Sequence, residues 1–128
     1  MRIDYRDGLL FVSLTLAYKG RFHTIDHVIL DTGATQSLID REAVAPLHLT
    51  TEDDDLIVIM LGIGGKEHAI RKQIDILQFV SYVVETPLID FGNLEVHAGI
   101  NGLLGADILI GGKFIIDLDN MTIYQRDQ

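Results

Sequence analysis

One stretch constrains this chain more than any other: Val28-Ile29-Leu30-Asp31-Thr32-Gly33-Ala34-Thr35-Gln36-Ser37-Leu38-Ile39. Three apolar residues run into a carboxylate, a small hydroxyl residue and a glycine, and the chain then turns apolar again. The pattern reads as a buried strand ending in a tight turn, with Asp31 on the turn. An ionised carboxylate at such a place is costly to bury unless it is hydrogen-bonded or paired. Thr32 and the amides of Gly33 and Ala34 lie within local reach to supply those bonds. An isolated Asp-Thr-Gly recurs by chance, and a carboxylate that merely opens a turn looks the same, so the rest of the chain has to decide.

Ahead of that stretch, residues 10–18 alternate, with Val12, Leu14 and Leu16 on one face, and predict a half-buried strand. Lys19-Gly20 is a hairpin turn, and residues 21–30 return as the strand that delivers Asp31. His23 and His27 are four apart on it, which in an unbroken strand gives one face but too long a reach for a shared metal. Residues 40–46 predict one or two helical turns, with Asp40 as cap, Glu42 in the first turn and Pro46 at the end. Residues 50–55 are polar and acidic without EF-hand spacing, and are expected to be a solvated loop. Residues 56–61 are continuously apolar, Gly62-Ile63-Gly64-Gly65 follows, and residues 66–77 alternate with Ile70, Lys72, Ile74 and Ile76 on one side. Strand, glycine tip and strand make a long hairpin whose tip can lay its backbone against something.

Residues 79–84 and 88–91 predict further short strands, with Pro87 marking an edge or a bend. Leu103-Leu104-Gly105 is a short apolar strand ending in glycine, residues 106–110 a helical turn or two, and residues 114–118 and 121–124 a last hairpin around Asp119-Asn120. The sum is an all-β domain of seven to nine short strands with one or two short helices: a small closed barrel or sandwich, in a single domain spanning residues 1–128.

Composition removes several classes of function. The net charge is −9, with acidic residues spread through both halves and no basic patch, so nucleic acid and anionic membrane are not expected partners. The absence of cysteine rules out disulfides and thiolate metal sites. No metal and no cofactor are expected. Residues 1–8 are charged, with no secretory leader pattern, and the apolar runs are too short to span a bilayer, which leaves a cytoplasmic location as the default.

Three features then stand in order: Leu30-Asp31-Thr32-Gly33-Ala34, the hairpin with Gly62-Ile63-Gly64-Gly65, and Gly102-Leu103-Leu104-Gly105 just before a short helix, with Ser37 three residues after Ala34. Together they resemble the retropepsin-like aspartic peptidases, the retroviral-type proteases and their cellular and bacterial relatives, over nearly the whole chain. The resemblance implies a closed retropepsin-like barrel with a flap hairpin and a homodimer in which two copies of Asp31 form a catalytic dyad. It implies cleavage of peptide bonds in extended peptide or protein substrates. Asp31 would be the catalytic residue. Thr32, Gly33, Ala34, Leu103, Leu104 and Gly105 would support the site, and Gly62, Ile63, Gly64 and Gly65 would close over the substrate. Retroviral members usually carry an acidic residue after Asp-Thr-Gly-Ala and an arginine after the later glycine; here those positions hold Thr35 and Ala106. The alternatives are the same fold kept as a catalytically silent dimerisation or peptide-binding module, and an unrelated all-β ligand-binding domain.

Overall fold

The computed structural model describes residues 1–62, 65–94 and 99–126, with the backbone alone at 60–62 and 65–67. Twelve strands lie within them: β1 (Asp4–Arg6), β2 (Leu9–Tyr18), β3 (Arg21–Leu30), β4 (Leu38–Asp40), β5 (Leu56–Gly62), β6 (Gly65–Gln73), β7 (Ile76–Phe79), β8 (Tyr82–Glu85), β9 (Leu88–Gly92), β10 (Gly102–Leu104), β11 (Phe114–Asp117) and β12 (Thr122–Gln125). A 3₁₀ helix (Glu42–Leu47) and one α-helix, α1 (Ala106–Gly111), complete the set. The all-β class with two short helices is as the sequence predicts. The strands exceed the expected seven to nine because three-residue strands such as β1 and β4 carry too little periodicity to read.

Ten strands form one strongly curled sheet in the order β5-β6-β9-β4-β10-β3-β2-β7-β8, with β1 on β2; β11 and β12 pair separately. The N-terminal segment runs beside β12, where Ile3 and Ile123 donate their amides to Met121 and Met1 at 2.8 and 2.9 Å. Val28, Leu16, Leu77, Phe79, Ile89, Leu104 and Ile123 are wholly buried in the main core. No helix among the described residues is long and apolar enough to cross a membrane.

Four local expectations change. The β2–β3 register slips between Val12 and Leu14, a bulge whose β3 side includes His27 at φ +54°. Ile25 is buried before it and Val28 and Leu30 after it, so the alternation changes phase and the spacing of His23 and His27 gives no shared face. The strand expected over residues 66–77 breaks at Ile74–Asp75, whose amides bond Pro87 and Ala17 at 3.1 Å as the chain leaves β9 for β2. The strand expected over residues 79–84 is interrupted by a turn at Val80 and Ser81, Val80 having φ +58°. Asp40 does not cap the 3₁₀ helix. It is still paired in β4, its Oδ1 accepts the Leu94 amide at 3.1 Å, and Arg41 takes the cap position without a side-chain bond.

Candidate active site

β3 carries Asp31 to the end of the sheet between β2 and β10, and the turn is fixed mostly by backbone. Leu104 pairs in parallel with Leu30, and the Leu104 carbonyl accepts the Asp31 amide at 3.0 Å. The Ala34 amide bonds the Asp31 carbonyl at 3.1 Å, and the Gly33 amide bonds the Asp31 carboxylate at Oδ1, 3.0 Å away. Of the groups the sequence offered to the carboxylate, the Gly33 amide bonds it, while the Ala34 amide goes to the Asp31 carbonyl instead. Thr32, on the exposed side, makes no side-chain hydrogen bond among the described residues. Asp31 itself is half-buried, and among the described residues its Oδ2 has no partner, so the carboxylate is presented rather than consumed.

The second supporting loop packs under the first. The Ala106 amide donates to the Ala34 carbonyl at 2.7 Å, and the Gly105 amide donates to Ser37 Oγ at 2.9 Å. Ser37, 1% exposed, donates its hydroxyl hydrogen bond to Asp107 Oδ1 at 2.7 Å. A Cβ on Gly105 would lie 2.7 Å from the Ala34 carbonyl oxygen, and one on Gly102 would lie 2.9 Å from that of Leu38. Both distances are closer than real Cβ contacts, so the two loops touch main chain to main chain only because these positions lack side chains. Leu104 is wholly buried, while Leu103 is half-buried and packs with Leu38, Val58, Ala69, Leu94 and Ile100 in a second apolar cluster. That cluster joins β4 and β10 to the two strands of the β5–β6 hairpin. Ala34, Leu103, Leu104 and Gly105 are thus brought together around Asp31.

The hairpin itself pairs from Leu56–Arg71 to Gly62–Gly65; Ile63 and Gly64, expected at its tip, lie outside the described residues. Its foot is held by charge. Lys72, 3% exposed, places Nζ 2.9 Å from both carboxylate oxygens of Asp55. Burial alone would push the Asp55 carboxyl up, but the Lys72 ammonium and the Glu52 amide outweigh it and hold the carboxyl below its ordinary range. Glu52 accepts from the Tyr18 hydroxyl and lies 3.3 Å from Lys19 Nζ; the Tyr18 bond, followed by Lys19, depresses its carboxyl. The acidic loop expected to be solvated is therefore tied to β2 and β6 by Glu52 and Asp55. On the opposite face of β6, Arg71 forks onto Asp90, Nε to Oδ1 at 2.8 Å and Nη2 to Oδ2 at 3.2 Å.

Sequence reasoning missed Asp107, Asp90 and Asp55 as partners. The only local signal was a lysine on an apolar strand face, which must find a counter-charge somewhere. Neither a groove of about 320 Å³ between the 3₁₀ helix and β6 nor one of about 890 Å³ beside β11 is lined by Asp31. Among the described residues no group of three or more His, Asp or Glu could hold a metal ion.

No curated protein matches this chain. Residues 14–108, however, match the profile of the aspartyl protease family, a span that runs from the second half of β2 through the Asp31 turn and the hairpin to the Gly105 loop. With an all-β, retropepsin-like fold and a family match over most of its length, the chain belongs to the aspartyl proteases.

Proposed function

We propose that the protein is an aspartic endopeptidase whose site forms when two copies meet, each contributing Asp31. The observation that carries this reading is the half-exposed Asp31 carboxylate, bonded on one oxygen by Gly33 and, among the described residues, open on the other. A two-fold axis beside that carboxylate brings identical turns together in an isologous contact. Two carboxylates in contact cannot both ionise, and they share one proton. The ionised member takes a proton from a water held between them, and the water oxygen attacks the scissile carbonyl. The protonated member donates its hydrogen bond to that carbonyl oxygen. Collapse of the tetrahedral species then expels the amine, which receives a proton from the pair. Proton transfer of this kind contributes roughly 10²–10⁴-fold.

The β5–β6 hairpin serves as the flap, and the cluster of Leu38, Val58 and Leu103 receives an aliphatic side chain of an extended substrate. Activity belongs to the range from acidic to near-neutral pH and falls where both members of the pair ionise.

The test is cleavage of a mixed peptide library by the wild type and by Asp31→Asn. Cleavage by the wild type alone is expected. Equal cleavage by both proteins would remove Asp31 from the chemistry, and cleavage by neither although each is dimeric would favour the catalytically silent, peptide-binding form of the fold.

A further inference from the structure

The acid and arginine that retroviral members usually place beside the Asp-Thr-Gly turn are Thr35 and Ala106 here, yet the region is not without charge. Arg71 reaches it from the hairpin. Its fork on Asp90 is two good charge-assisted bonds to a carboxylate only 3% exposed. The Asp90 amide in turn donates to the Ser37 carbonyl at 3.3 Å. Through its hydroxyl, Ser37 then takes the Gly105 amide and gives to Asp107. One guanidinium on a flap strand is thus joined by consecutive contacts to the residue that locks the two loops around Asp31.

We propose that Arg71 is a positioning residue that couples the β5–β6 hairpin to the Asp31 turn, through Asp90 and Ser37. The displaced charge pair does more than fasten a strand. Ser37 meets Asp90 with its carbonyl and Gly105 with its hydroxyl, so a shift of β6 that drags Asp90 also moves the support of the Asp31 amide. Such coupling runs both ways: whatever orders the hairpin also orders the turn. The role in catalysis rests on the peptidase reading above; the mechanical link does not.

Native-state hydrogen exchange tests it on the wild type, Arg71→Gln and Arg71→Gln/Asp90→Asn, the double variant leaving no buried carboxylate without a partner. The amides of Asp31, Ala34, Gly105 and Ala106 are expected to exchange roughly 2–30-fold faster in both variants, the range that residues linking two sites typically command. The amides of Leu16 and Ile25 in the β2–β3 ladder are expected to hold their rates. Acceleration confined to β6 and β9, or spread evenly through the sheet, would overturn the proposal. On a peptide that the wild type cleaves, kcat is expected to drop by a similar factor with KM little changed, and Arg71→Lys, which keeps the charge without the fork, to recover part of it. A change in KM alone would reduce Arg71 to a flap contact. If no peptide is cleaved by the wild type, the peptidase reading fails while the exchange rates still decide the coupling.

Discussion

The Asp31 turn and the foot of the hairpin are both fixed by polar contacts across distant sequence, but of different kinds. Around Asp31 the ties are main-chain amides, one hydroxyl and two glycines that let backbones touch. At the foot, Lys72 and Asp55 face each other with side chains 4% and 10% exposed, and Tyr18, Lys19 and Glu52 add a second, outer set. The amide-to-carbonyl bonds among the first kind respond little to salt or to pH near neutrality. Charges of the second kind respond to both, and stranding one of them is expensive. The Asp31 turn therefore rests mainly on main-chain bonds, while the foot of the hairpin is anchored by groups that titrate.

The sharpest way to break this contrast is Lys72→Met. It strands the Asp55 carboxylate and is expected to cost about 3–5 kcal/mol, read from chemical denaturation. Lys72→Met/Asp55→Leu, which removes both charges, should return close to wild-type stability; a double variant as weak as the single one would mean that the pair is not the anchor. On the neutral side, Gly105→Ala should cost about 1–3 kcal/mol by forcing the loops apart. Its effect on peptide cleavage should be out of proportion, roughly 10²-fold, because the Asp31 support moves. Activity that merely tracked the loss of folded protein would contradict the close approach as its cause.

Acid separates the regions next. The folded Asp55 carboxyl lies below its ordinary value of 3.8, so the stability it contributes is complete above that pH and is lost as the pH falls through the folded value. Exchange in residues 50–56 should accelerate there before exchange at the Asp31 turn does, and the reverse order would refute the assignment. The smallest effect belongs to Lys19→Ala. An exposed ion pair is worth little in water, so its melting curve should overlay the wild type at physiological salt.

How much of this was legible beforehand follows from where the partners sit. The Asp31 strand and turn were readable because apolar run, carboxylate and glycine are consecutive, and the Gly62 and Gly105 segments because glycine clusters mark tips and close approaches. The bulge at His27 was not, since it is defined by what β2 does opposite it. The corner at Ile74 was hidden because apolar alternation continues straight through a change of pairing partner. Lys72 was visible as a charge on an apolar face, but its partner lies 17 residues earlier in a loop whose four acids look alike, and only the fold selects Asp55. Ser37 stood in the motif as a letter, and its two bonds give the reason for it.

β5 ends the sheet, and among the described residues no strand pairs with its outer edge. Leu56, Ile57 and Ile59 on that strand are 57%, 73% and 59% exposed. An unfilled row of amides and carbonyls flanked by bare aliphatic side chains is a template for any extended chain at high concentration. A charged residue introduced at Ile57 should therefore raise the concentration at which the protein stays monodisperse.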